Sequence, residues 1–285
     1  MGRRGVRRVV TMVLVTIGLQ AQMALPAQAA GDGGRIISAA GQQQWVHCQG
    51  TGSPTIVVVS GLRADHRMWS KVDDRLARLA RTCIVDRPGL GASPARQGSS
   101  RTDAGEHARE LQAVLQAAGE TGPYLLIGHS YGGLVVRAFT RLFPDEVSSA
   151  LLLDTVWPTI YRDFLPSYAS PWHEGGTSVN LKTSAQVIGP DFTFADRPLI
   201  VIAAGEPGNG SSWADRKWFR EQRKMATLST QGEFLIAKKS GHVIQQDQPA
   251  IVLRAVRTLL AKATAAQIVL RFSCDKADPE QRGCN

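Results

Sequence analysis

Short apolar runs alternate with longer stretches of helical spacing along most of the chain. "TIVVVS" (55–60), "TCIVD" (82–86), "YLLIG" (124–128), "SSALLLD" (148–154), "LIVIAAG" (199–205) and "EFLIAK" (233–238) are compact runs rich in β-branched residues and leucine. Most show no polar alternation, which suits strands covered on both faces. Between them, residues 68–80, 101–118, 131–143, 212–228 and 249–262 carry apolar positions at helical intervals. "QQQWVHC" (42–48) predicts a strand of an opening hairpin. Strands alternating with helices predict an α/β fold, a mostly parallel central sheet with helices on both faces. The alternation lapses over residues 155–198, rich in Pro, Ser, Gly and aromatics, which resemble an insertion. No internal repeat is visible, and 285 residues suit a single α/β unit.

The first residues break this pattern. Arg3, Arg4, Arg7 and Arg8 precede the apolar run "VVTMVLVTIGL", and Ala27-Gln28-Ala29 follows as a small-x-small cleavage site. This predicts a secretory signal peptide over 1–29, a main domain over 30–270 with a cap insertion at about 155–198, and a tail over 271–285. The apolar run is shorter than the roughly 20 residues a membrane span needs, so no stable membrane anchor is expected after cleavage. Removing four arginines and no acids lowers the net charge from +9 to +5. No basic run remains to suggest nucleic-acid binding.

Four cysteines fit an exported chain. Cys274 and Cys284 bracket a polar tail, where a local bridge would order a segment lacking its own core. Cys48 precedes the strand-like run "TIVVVS" and Cys83 opens "TCIVD"; neighbouring strands would bring them within bridging distance, with free buried thiols as the alternative. None of the spacings resembles a zinc site, and no metal or organic cofactor is implied.

The chemistry centres on Gly128-His129-Ser130-Tyr131-Gly132, a G-x-S-x-G pattern with a predicted strand before it and a helix after it. Small neighbours allow a sharp strand-to-helix turn that exposes Ser130 beside a helix N-terminus. The free N–H groups there favour a developing oxyanion. A serine nucleophile needs a base. Of six histidines, His242 lies after the last strand in "SGHVIQQDQP", beside Gly241, and follows every acid candidate in the chain. His129 adjoins the serine and is expected to pack. His66, near the next loop of interest, is expected to touch substrate or solvent. The acid that orients His242 is either Asp154, ending "ALLLD", or Glu206, following "LIVIAAG", with Asp154 favoured; Asp215 resembles a helix cap. The two oxyanion N–H donors are expected from Tyr131 and from the loop after "TIVVVS", at Leu62. "DRPGLGAS" (86–93) lacks the residues of a phosphate loop; Asp86 and Arg87 more plausibly tie that loop together.

Together "TIVVVSGL", "CIVDRPGLGAS", "GPYLLIGHSYGG", "ALLLD" and "SGHVIQQDQP" resemble the α/β-hydrolase superfamily, over about residues 43–262. Within it the chain is similar to exported bacterial hydrolases. Their paired cysteines match Cys48 and Cys83, and their acid after the strand following the nucleophile helix matches Asp154. The chain departs in having Ser60 where many relatives have His, and in lacking Asp shortly after Gly205. The resemblance implies the α/β-hydrolase fold and a lid or cap at the insertion, without the amphipathic pattern of a dedicated lipase lid. It implies a secreted serine hydrolase, an esterase on a small-molecule acyl substrate using Ser130, His242 and Asp154. A peptidase, amidase, lipase or acyl transferase would use the same triad, and a non-catalytic binding protein would keep only the fold.

Overall fold

The computed structural model describes residues 33–164, 172–205 and 212–276, with side chains to residue 263. The segment expected to be a signal peptide, Glu206, Cys284 and the side chain of Cys274 lie outside the described residues. In chain order the elements are β1 (Arg35–Ala39), β2 (Gln42–Gln49), β3 (Ile56–Val59), α1 (Asp73–Ala77) and β4 (Thr82–Val85). Next come β5 (Arg101–Thr102), α2 (Ala104–Ala117), β6 (Tyr124–His129), α3 (Gly132–Leu142) and β7 (Val147–Leu153). The insertion holds α4 (Ile160–Asp163), β8 (Trp172–Glu174), β9 (Thr177–Val179) and α5 (Leu181–Ile188). The chain then forms β10 (Leu199–Ala204), α6 (Trp213–Ala226), β11 (Gly232–Ala237), α7 (Ile244–Asp247) and α8 (Pro249–Lys276).

Eight strands form the main sheet in the order β1-β2-β4-β3-β6-β7-β10-β11. β1 and β2 pair antiparallel, as do β2 and β4, and every other neighbour is parallel. The continuous apolar runs are explained by the two cores. Val57, Val59, Leu126, Leu152 and Val201 point into one, with Val135, Phe139 and Met225. Their sequence neighbours Ile56, Val58, Leu125, Ile127, Leu151 and Ile202 point into the other, with Leu76, Val252 and Leu259. Successive residues of β3, β4, β6 and β10 thus bury their side chains on one face or the other, and each large apolar side chain so buried contributes about 1.5–3 kcal/mol.

Four segments differ from the sequence pattern. Residues 68–80 form a 3-10 turn (His66–Trp69) and then the short α1 rather than one helix. The carbonyl of Met68 accepts from Gln246 Nε2 at 2.7 Å, while the Val72 N–H bonds Trp69 O. The helical ladder is therefore interrupted at that point. Residues 101–118 lose their first turn, because the Asp103 side chain caps α2 by accepting from Gly105 and Glu106 N–H. Arg101 and Thr102 instead pair with β9. The insertion is more structured than its composition suggests. β8 and β9 form a hairpin around Gly175-Gly176, both at positive φ, as a two-residue turn demands. α8 continues to Lys276, past the expected tail boundary at 270.

Cys48 and Cys83 are directly paired residues of β2 and β4 and form a disulfide with a sequence separation of 35. Closing a loop of that length constrains the unfolded chain. The Cys48→Ala/Cys83→Ala protein is expected to lose about 3–4 kcal/mol of stability, read as a lower urea midpoint with a larger m-value, because the unlinked unfolded chain exposes more surface.

Candidate active site

Ser130 sits at the turn between β6 and α3 with φ +53, in the left-handed region that costs a non-glycine residue about 1–3 kcal/mol. The surroundings hold it there. Its N–H donates to Leu153 O at 3.0 Å, and its carbonyl accepts from Gly133 and Val156 N–H at 3.1 and 3.3 Å. Gly132 is required by close approach, since a Cβ there would collide with the backbone oxygen of Val59. The turn is thereby packed against the end of β3, and Gly61 lies against Ser130.

Asp154 ends β7 and is also in the left-handed region, at φ +44. Its carboxylate is buried and meets three donors. Oδ1 accepts from Ala204 N–H at 3.1 Å and from Trp218 Nε1–H at 2.9 Å. Oδ2 accepts from His242 Nδ1 at 2.7 Å. The His242 loop is pinned from below: Asp247 Oδ2 accepts from Gly241 N–H at 3.0 Å and from the Ser240 hydroxyl at 3.3 Å. His129 adds a further tie. Its Nε2–H donates to the His242 carbonyl at 2.9 Å, and the two rings lie 4.8 Å apart. Burial pushes His129 down to about 4, so it is neutral at pH 7. The residue expected only to pack thus joins the serine turn to the His242 loop.

The loop after β3 is built on a buried ion pair. Arg87 Nε and Nη2 reach the two carboxylate oxygens of Glu174 at 2.7 and 2.8 Å. Arg87 Nη1 and Nη2 also donate to Ser60 O and Gly61 O at 2.7 and 2.6 Å. Glu174 Oε2 accepts from Arg63 N–H at 3.1 Å. Because the Gly61–Leu62 peptide is planar and trans, drawing its carbonyl toward Arg87 aims the Leu62 N–H the opposite way. Among the described residues neither the Leu62 nor the Tyr131 N–H donates a hydrogen bond. Both therefore remain available to a bound group. The Tyr131 side chain is fixed as well: its hydroxyl lies 2.9 Å from His107 Nδ1, and Arg87 lies 5.4 Å from its ring. His107 is pushed down to about 3 by burial, against the attraction of Glu174.

Ser60 takes a structural part, accepting from Trp69 Nε1–H at 2.9 Å. His66 does not face a substrate site: its ring lies 4.1 Å from that of Trp45 and its Nδ1 is 2.6 Å from Asp86 Oδ2. Asp86 also accepts from His66 and Ala92 N–H, so it ties the loop together as expected. Sequence reasoning missed Glu174 and Trp218. Both come from segments without a motif, and only the fold brings them to Arg87 and Asp154.

Fold and site geometry define an α/β hydrolase, and the comparisons agree. Residues 54–174 match the family model described as "alpha/beta hydrolase fold", and the chain belongs to that superfamily. It is 26% identical over 221 residues to the uncharacterized protein YqjL of Bacillus subtilis, covering 74% of this chain and 85% of that one. It is 34% identical over 155 residues to the pimeloyl-[acyl-carrier protein] methyl ester esterase of Chromobacterium violaceum, which covers 54% of this chain and 55% of the relative. In structure it is similar to a thermophilic esterase from Thermogutta terrifontis, with a TM-score of 0.64 and 21% identity over 81% of this chain and 98% of that one. That likeness concerns the fold.

Proposed function

We propose that this chain is an exported serine hydrolase that cleaves carboxylic esters. The observation that carries the reading is the 2.7 Å contact of His242 Nδ1 with the buried Asp154 carboxylate, beside a serine held at φ +53 on a strand-to-helix turn. Asp154 fixes the imidazole tautomer and leaves Nε2, across the ring, for proton exchange. Ser130 Oγ attacks the acyl carbon as its proton passes to His242 Nε2. The tetrahedral oxyanion is held by the N–H groups of Leu62 and Tyr131. His242 then protonates the leaving alkoxide, giving an acyl-enzyme and free alcohol. Water, deprotonated by His242, attacks the acyl-enzyme, and collapse releases the carboxylic acid and restores Ser130. The esterase names among the relatives favour esters over amides.

The test uses the exported chain, expected to begin at Ala30. A fluorophosphonate probe is expected to label the folded protein at Ser130, with no label on Ser130→Ala, and a short-chain p-nitrophenyl ester is expected to be hydrolysed. Absence of label on the folded wild type would overturn the nucleophile. Turnover of peptides or amides in preference to esters would overturn the substrate class.

A further inference from the structure

Arg137 is the one residue of α3 whose chemistry the packing does not use. It lies in the second turn of the helix and is only 6% exposed. Its Nε and Nη1 are buried without a hydrogen-bond partner. Its guanidinium carbon lies 5.3 Å from the centre of the Phe192 ring. An unpaired buried guanidinium is costly, and burial alone draws it down to about 10, so it still carries its charge at pH 7. The side chain lines a cavity of about 480 Å³ between the insertion, α5 and α6.

The cavity walls have two characters. Trp157, Tyr161, Phe192 and Met225 supply apolar and aromatic surface. Lys182, Lys224 and Arg162 also line it, are exposed, and make no ion pair among the described residues. Glu221 is the single acid of the lining among the described residues, and Lys217 already engages it at 2.7 Å. Ser130, His242, Leu62 and Tyr131 are not part of this cavity. Trp157 connects the two places: its ring lies 5.5 Å from that of Trp218, the donor to Asp154.

We infer that this cavity is a binding site, separate from the Ser130 centre, for a small amphipathic carboxylate whose head pairs with Arg137 and whose apolar body fills the aromatic wall. The ligand supplies the counter-charge that the fold withholds from Arg137. A carboxylate offers two oxygens matched to a guanidinium. The volume suits a molecule of moderate size. The exposed lysines draw the anion toward the mouth.

Octanoate is the probe, titrated by calorimetry into the full exported chain, with octanol and inorganic phosphate as the two controls. Octanoate is expected to bind one-to-one, and neither control is expected to bind over the same concentrations. Arg137→Leu is expected to weaken octanoate at least about tenfold, the loss of a charge-assisted hydrogen bond, and to raise the Tm of the ligand-free protein. Lys182→Glu, at an exposed position that does not threaten folding, is expected to weaken binding and its salt dependence. Ser130→Ala is expected to bind octanoate as the wild type does, which separates this site from the proposed catalytic one. Equal affinity in Arg137→Leu or in Lys182→Glu would overturn the inference. So would loss of binding in Ser130→Ala, absence of octanoate binding, or either control binding as tightly.

Discussion

Asp154→Asn is expected to lower kcat for a p-nitrophenyl ester by about 10⁴-fold, with little change in KM. The size follows from the donors around the side chain. Oδ1 faces two groups that only donate, Ala204 N–H and Trp218 Nε1–H. The asparagine must therefore turn its carbonyl oxygen toward them, because the reverse flip would set its NH₂ against two donors. Its NH₂ then faces His242 Nδ1. A donor there forces Nδ1 to accept and moves the imidazole proton to Nε2, the nitrogen that must take the proton of Ser130. The base is thus lost through its tautomer while the fold is kept, so the Tm should stay close to that of the wild type. Glu206→Gln, made in parallel, is expected to keep most of the activity. A loss of less than about tenfold in Asp154→Asn would overturn the assignment, since an orienting carboxylate is worth far more than that.

The strands and the serine turn were legible because each is local, whereas the order of the strands in the sheet is not local and was not read. A buried parallel strand leaves a continuous apolar run; β3 and β10 fall within those runs, and β6 and β7 overrun theirs by one residue each. The turn at Ser130 was legible for a similar reason: Gly128 and Gly132 sit within two residues of the position whose backbone they permit. The acid was half legible. Chain order left Asp154 and Glu206 both open, and what brings Asp154 to His242 is the parallel pairing of β7 with β10 and of β10 with β11. The insertion was least legible. Three-residue strands are too short to show a period, although "EGGT" (174–177) does carry the signature of a two-residue hairpin turn. The partnership of Arg87 with Glu174 spans 87 residues of sequence and joins the loop after β4 to the end of β8, which no pattern relates. Arg137 was hidden for the opposite reason. On an amphipathic helix an arginine is expected to face water, and only the packing of α5 and the insertion buries it.

That partnership of Arg87 with Glu174 carries the second large effect. Glu174→Gln is expected to cost about 3–5 kcal/mol of stability at pH 7, because it leaves a buried guanidinium without a counter-charge. His107 does not compensate either way, as burial keeps it neutral. Activity should fall as well, by about 10²-fold in kcat, the scale of an oxyanion donor displaced from its position. The route is short: Glu174 holds Arg87, and Arg87 holds the carbonyls of Ser60 and Gly61 that aim the Leu62 N–H. Glu174 is thus a positioning residue, and two readouts separate this from a general loss of fold. The first is the reversal by pairing: Arg87→Met/Glu174→Leu should be more stable than Glu174→Gln, since no charge is left buried alone, while its kcat stays low because the loop carbonyls have lost their donor. The second is pH. Burial pushes the Glu174 carboxyl up, but the Arg87 guanidinium, with lesser help, outweighs it and the group is held down to about 2, against an ordinary value of 4.5. A carboxylate with a depressed value in the folded state stabilises fully above the unfolded value, and that contribution is lost as pH falls toward the folded one. The stability gap between wild type and Glu174→Gln should therefore be constant above about pH 5 and close between pH 4.5 and 2. A gap that stays constant through that window would mean that the ion pair is not what holds the oxyanion loop in place.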